Sequence, residues 1–367
     1  MSRQILLARA AAQPWAMDPD HLAIFAGVLR RWSAGEPATP EIMATVSAAQ
    51  TARTERMKAN ASVGGNIRVL NLWGVISQRA SMVDDVSGAG GTSTQGFTSA
   101  LRAAVADDTI GGIIISIDSP GGSVFGTGEL AAEIFNARGK KPIFGFVDSL
   151  CASAAYWTGA QCSQLFITPG GQAGSIGVYM QHVDESAAME KKGYRAEFIS
   201  AGKYKVEGNS MGPLQADARA FMQSQIDSYY AAFTGAVAKG RGVPVTTVRN
   251  GMGQGRCLMA SEALSAGMVD GICLMDEVVA RLGSTMRTGG MASAPMRNGP
   301  RATSMPASVG VHSRMRELEL AGGVMPKQNA TTDSRRHELE LAGHPPKSGA
   351  TETRVELARR ALDLTSI

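Results

Sequence analysis

The run 113–117, Ile-Ile-Ile-Ser-Ile, limits most strongly what this chain can fold into. It is rich in β-branched residues and shows no polar alternation. Both faces of such a strand need apolar cover, as at the centre of a parallel sheet. The run ends in Asp118-Ser119-Pro120-Gly121-Gly122-Ser123, a turn at the carboxyl end of the strand. Around it, strand and helix patterns alternate. Strands are expected at 66–78, 141–149, 165–168, near residue 200 and after the glycine break in 260–272. Helices are expected at 97–110, 126–138, 154–160, within 211–241, at 246–251 and in the first half of 260–272. This order predicts an α/β fold with βαβ crossovers.

The ends of the chain differ in texture. Residues 1–60 read as helical: Leu22, Phe25, Leu29 and Trp32 fall at helical spacing, a Gly-Glu-Pro break follows, and 40–57 form a second helical stretch. The segment is expected to be an accessory arm, either packed or touching a partner. Residues 79–96 are small and polar, a loop. A domain-sized middle, 61–283, is followed by 284–312, rich in Gly, Ala, Ser, Pro and Met, which reads as a disordered linker. The tail 313–367 carries an internal repeat. Ser-Arg-Met-Arg-Glu-Leu-Glu-Leu-Ala-Gly at 313–322 returns as Ser-Arg-Arg-His-Glu-Leu-Glu-Leu-Ala-Gly at 334–343, with a looser echo from 353. Each copy is too short to bury a core alone; docking on a partner and inconsequential charged sequence are the two readings.

A net charge of +4 over 367 residues makes no case for nucleic acid as the main partner. No run of about 18 apolar residues is present, so no membrane span is expected, and the first residues lack the apolar core of a secretory signal. Cys151, Cys162, Cys257 and Cys273 show no metal-ligand spacing and read as reduced residues of a cytosolic protein. No metal or cofactor is expected.

The chemistry gathers in 146–178. Ser153 precedes a helical run and is followed by small residues. A serine there has free backbone N–H groups and the positive end of a helix dipole beside its hydroxyl, the donors that acyl transfer requires. The alternative is an ordinary N-cap serine. Upstream, Gly121-Gly122 can present backbone amides without side-chain obstruction. The Gly121 N–H and that of Ala154, after the serine, could form an oxyanion hole. Cys151, two residues away, is a rival nucleophile. A base is harder to find. Of five histidines only His182 lies in the middle of the chain. A lysine kept neutral by burial can take a serine proton, and Lys203 and Lys205 in Ala-Gly-Lys-Tyr-Lys are both candidates.

The motifs DSPGGSV, CASAAYW, GSIGVY, SAGKYK and GRCLMASEALSAGMVDGI resemble, in order and spacing, the signal peptide peptidase A family of serine peptidases. The likeness covers about 66–283 and is greatest to the branch of phage and prophage head-maturation proteases (minor capsid protein C). The resemblance implies a Clp-protease/crotonase-like superfold of repeated ββα units and a Ser-Lys dyad. By it, Ser153 is the nucleophile, Lys205 rather than Lys203 the base, and Ser175 the residue that orients the lysine. Gly121, with Ala154, supplies the oxyanion hole, and Gly122 and Ser123 line the substrate site. It further implies a homo-oligomer acting on capsid and scaffold proteins in the host cytoplasm or the prohead. Ser153-Ala154-Ala155 departs from the family's usual Ser-Gly-Gly, and the added methyls narrow the pocket before the scissile bond. Four alternatives stay open: a non-proteolytic head scaffold, a cellular signal-peptide-degrading peptidase, a crotonase-type acyl-CoA enzyme, and a Clp-type peptidase using His182.

Overall fold

The computed structural model describes residues 13–17, 65–79 and 91–288, with isolated positions between 27 and 55. The main sheet is built on β5 (Gly112–Ser119), the isoleucine run, which lies between β2 (Ile67–Trp73) and β7 (Ile143–Ala152), parallel to both. In register, Leu70 faces Ile115 and Ile115 faces Gly145. The prediction that both faces of this strand are covered holds residue by residue. Ile113, Ile115 and Ile117 enter the larger core with Leu101, Leu130, Ile134 and Phe233. Ile114 enters a second core with Phe144, Phe146, Phe166, Val278 and Leu282. Alternate side chains of a strand point to opposite faces, so one apolar run serves two cores.

A smaller, four-stranded sheet accompanies the first. Gly74 has φ +67 and bends the chain, so the expected strand 66–78 divides into β2 and the short β3 (Ile76–Ser77). With β4 (Thr92–Ser93) and β6 (Gly121–Ser123), β3 forms a sheet whose fourth strand is β1 (Trp15–Met17), in the order β1-β6-β3-β4. Helix α1 (Thr94–Ala106), N-capped by Ser93, follows β4, and α2 (Thr127–Ala137) follows β6. A long strand in one sheet, short strands in the other, then a helix: this is the repeated ββα unit expected.

β7 is long enough to serve two neighbours. Phe144–Val147 pairs with β8 (Gln164–Ile167), and Leu150–Ala152 pairs with β9 (Gln172–Gly174), all parallel. β10 (Cys257–Met259) closes the far edge antiparallel to β9, and β11 (Gly271–Ile272) pairs with β8. Helix α3 (Ala154–Gly159) begins directly after β7. The long α5 (Ala216–Arg241) follows α4 (Ser186–Lys191), and its Phe233 stacks on Trp157 of α3 at 4.7 Å between ring centroids. The buried guanidinium of Arg241 makes two bonds to Asp270, at 2.9 and 3.0 Å, and Asp270 also accepts from the Leu165 amide at 2.7 Å. This pair ties the end of α5 to β8. Two short helices, α6 (Val245–Gly251) and α7 (Ala260–Ser265), lead to α8 (Met275–Arg287).

Several expectations differ from the structure. The stretch near residue 200 forms no strand. Residues 194–200 have no regular structure, 201–208 are turns and bends, and Ile199 is 99% exposed. A strand needs a neighbour for its backbone groups, and among the described residues none pairs with this stretch. Residues 15–17, inside a segment read as helical, are a buried strand. Pro169–Gly177, read only as a turn, contains β9. The last helix runs to Arg287, beyond the boundary expected at 283. The helices read in 18–32 and 40–57, most of the loop 79–96, the linker after 288, and the tail with its repeats lie outside the described residues. Among the described residues, no helix is long and apolar enough to cross a membrane.

Candidate active site

Ser153 stands at the junction of β7 and α3, at the carboxyl end of a strand in an open α/β sheet, where sites form. Its backbone has φ +56 and ψ −116. A non-glycine residue in that region is strained by roughly 1–3 kcal/mol and persists only when its surroundings hold it there. Two bonds do so: the Ser153 amide donates to Gly174 O at 2.8 Å, and the Trp157 amide donates to Ser153 O at 2.9 Å. The hydroxyl makes no capping bond to the helix. This answers the N-cap alternative, since a capping serine accepts from an amide of the first turn. Instead, Ser153 Oγ faces Gly177 O at 3.4 Å, long for an O–H···O bond. The residue is fully buried.

Gly121 approaches this junction from β6. It has φ +97, and a Cβ there would fall 3.0 Å from the Ala154 amide nitrogen, 2.9 Å from Ala152 O and 2.3 Å from Ala16 O. Only glycine fits such an approach. A Cβ on Gly122 would lie 1.9 Å from Ile76 O, because β6 packs between β1 and β3. The structure therefore brings Gly121 and Ala154, the two sequence-predicted donors, beside each other. Ala154 is the first residue of α3, and its amide has no acceptor within the helix. The Gly121 amide donates to Ser119 Oγ at 3.1 Å. Gly122 and Ser123 pair with Ala16 and Trp15 of β1.

Ser175 follows β9 and shares the strain of the serine, with φ +52; its amide donates to Arg256 O at 2.9 Å. It is buried, two residues before the carbonyl that faces Ser153 Oγ. Lys205 is not brought to this cluster within the single chain. It is exposed, in the turn region 201–208, and makes no hydrogen bond or ion pair with Ser153 or Ser175. Lys203 is also exposed and lies over the Tyr204 ring at 4.7 Å. His182 is half-buried, with Nε2 3.2 Å from Gly212 O, and is not bonded to Ser153. Cys151 is fully buried in β7, and burial pushes its thiol well above the ordinary range. A nucleophilic thiol needs the opposite shift. Cys162 is likewise pushed up to about 12, by burial.

What sequence reading missed is β1, the strand laid along this site. Three residues with a single Ala-Met after Pro-Trp carry no period, and their pairing is entirely long-range.

A strained serine at a strand–helix junction, with the next amide facing a glycine-only turn, sits here on an α/β fold of the Clp-protease/crotonase-like kind expected from the sequence. Residues 136–287 match peptidase family S49, in agreement with the resemblance drawn from the sequence. The head-tail preconnector protein GP5 of Enterobacteria phage P21 is 26% identical over 332 residues, covering 89% of this chain and 64% of that protein. The capsid assembly protease C of Escherichia phage lambda is 28% identical over 297 residues, covering 79% of this chain and 67% of that protein. The chain thus spans about two thirds of the length of these phage relatives. Among solved structures, a membrane protease (1510-N) specific for a stomatin homologue, from Pyrococcus horikoshii, is similar at 15% identity and a TM-score of 0.36, covering 59% of this chain and 79% of that one.

Proposed function

We propose that this chain is a serine endopeptidase of phage head maturation, working through Ser153 and Lys205. The observation that carries the reading is the strained, uncapped Ser153 whose following amide, Ala154 N–H, faces Gly121. Strain of this kind is retained where function requires it. In the proposed cycle Lys205, neutral and oriented by Ser175, takes the proton of Ser153 as Oγ attacks a peptide carbonyl. The Ala154 and Gly121 amides stabilise the oxyanion, and for this Gly121 must turn from Ser119 Oγ. The lysine then protonates the leaving amine, and water hydrolyses the acyl-enzyme.

In the single chain Lys205 stands apart, so the dyad requires either closure of the 179–215 segment or a lysine from a second copy. The same segment and the start of α5 expose Tyr194, Phe198, Ile199, Tyr204 and Phe221. Apolar groups gathered there support a homo-oligomer, because such surfaces are seldom left in water. Capsid and scaffold proteins are the proposed substrates, on the strength of the phage relatives' names, and the site of action is the host cytoplasm or the prohead.

The test is co-expression of the full chain with its neighbouring head proteins, followed by gel and mass analysis of the fragments. Fragments should vanish with Ser153→Ala and with Lys205→Ala. Unchanged fragments in both variants overturn the reading in favour of a non-proteolytic scaffold.

A further inference from the structure

The buried nucleophile raises a question of access: an endopeptidase must admit an extended chain to its serine, yet Ser153 has no exposed surface. Beside it, along the glycine turn, runs β1. Trp15 exchanges both backbone bonds with Tyr179: its N–H donates to Tyr179 O at 2.9 Å, and its carbonyl accepts from the Tyr179 N–H at 3.0 Å. On its other edge β1 runs antiparallel to β6, with Ala16 opposite Gly122 and Met17 opposite Gly121. The Val124 amide donates to Pro14 O at 3.4 Å. Bonded pairs alternate in an antiparallel ladder, so Ala16 and Gly122 form the next exchanging pair. The segment 14–17 is therefore held as the middle strand between the glycine turn and the residues that follow Ser175. These are the two edges that flank the nucleophile. Trp15, Ala16 and Met17 are all buried.

The register singles out one peptide bond. Ala16 O lies against Gly121, on the side where the Ala154 amide also approaches; the missing Cβ of Gly121 would touch both. The Ala16 side chain packs in the same apolar cluster as Ala154 and Ala155, the residues after the nucleophile.

We propose that the groove between Gly121–Ser123 and Tyr179 is the peptide-binding cleft, that residues 14–17 fill it in cis as a substrate-like plug, and that Ala16–Met17 is a self-processing site. The cleft takes an extended segment by strand addition on both edges. It selects a small residue before the scissile bond, because the Ala16 methyl is fully buried in the cluster that also holds Ala154 and Ala155. In the processing step Ser153 Oγ bonds to the Ala16 carbonyl carbon while its proton passes to the base. The Ala16–Met17 C–N bond breaks, and that proton goes to the Met17 amine. Water then hydrolyses the Ala16 ester, giving the carboxylate and restoring the serine. The cleavage step rests on the peptidase reading above; the groove and its occupant do not.

The experiment uses a fluorescent peptide with the sequence of residues 11–20, and the full chain carrying Ser153→Ala so that nothing is cut. Binding is read by anisotropy with and without Trp15→Pro, which removes the amide that donates to Tyr179 O. A plug that is seated more than nine-tenths of the time lowers the apparent affinity about tenfold or more. Trp15→Pro should therefore tighten peptide binding by at least that factor. Met17→Asp, which charges a buried side chain of the plug, should act in the same direction, with circular dichroism confirming the fold of each variant. Equal affinities, or binding by none of the chains, would overturn the plug. With Ser153 restored in the Trp15→Pro chain, mass spectrometry should find the peptide cut after the alanine equivalent to Ala16. A cut at another bond overturns the register. Tighter binding without any cut supports the groove and refutes the peptidase reading instead, so the two failures are told apart.

Discussion

Replacing Ser153 by glycine should make the protein more stable than replacing it by alanine, against the usual order. At an ordinary position glycine is less stable than alanine by roughly 0.5–1 kcal/mol, because the unfolded chain gains freedom. Ser153 is not ordinary: φ is +56 and ψ is −116, a conformation that alanine keeps straining and glycine relieves. Relief is worth roughly 1–3 kcal/mol. Subtracting the usual cost leaves glycine ahead by about 1 kcal/mol. The hydroxyl contributes little to this comparison, since both variants lack it and its contact with Gly177 O is long at 3.4 Å. At this size a difference of 1 kcal/mol moves a melting midpoint by roughly 2–4 °C. The assay is differential scanning fluorimetry of the two full-length variants at one concentration and one scan rate. A glycine variant melting below the alanine variant would refute the claim that the backbone at 153 is strained, and with it the argument that the strain is kept for function.

Other consequences can be checked alongside. Lys205→Ala should abolish cleavage of head proteins while Lys203→Ala leaves it within about twofold of wild type, and His182→Ala should do the same as Lys203→Ala; loss of cleavage in the histidine variant would point to a His relay. Arg241→Ala leaves Asp270 buried without its partner and should destabilise by roughly 3–5 kcal/mol, whereas Arg241→Met should cost less when combined with Asp270→Leu, because removing both charges also removes the desolvation penalty; urea denaturation of the three chains decides it. Burial raises the thiols of Cys151 and Cys162, so a thiol reagent at pH 8 should modify half-exposed Cys257 first and leave these two untouched in the native chain, and Cys151→Ala should still cleave.

Much of the fold was legible because it rests on local pattern. The isoleucine run announced a strand covered on both faces, and the helices at 126–138 and 211–241 carried clear helical spacing or turn signals. The strained serine was legible in part: small residues around Ser153 suggested close packing, but no pattern announces a positive φ. The misses share a cause. β1 is three residues long and exists only because the glycine turn and Tyr179 each offer it an edge. β9 and β10 are equally short and pair over more than eighty residues of chain, Gln172 with Met259. The stretch near 200 failed in the opposite sense: its apolar residues read as a strand, yet among the described residues no sheet edge pairs with it, and Ile199 is left almost wholly exposed. Strand pattern states what a segment could bury; pairing decides whether it does. For the same reason the glycine and serine positions of the site were found by motif, while the distance of Lys205 from them could not be read from order alone.

The most direct test of the central claim is to find the residue that reacts. The full chain, as wild type and as Trp15→Pro, is treated with a serine-directed fluorophosphonate, digested and mapped by tandem mass spectrometry. A single adduct on Ser153, absent from Ser153→Ala, is the predicted result. Cleavage of head proteins by a chain whose Ser153 stays unmodified, or an adduct on another residue that abolishes cleavage, would contradict it.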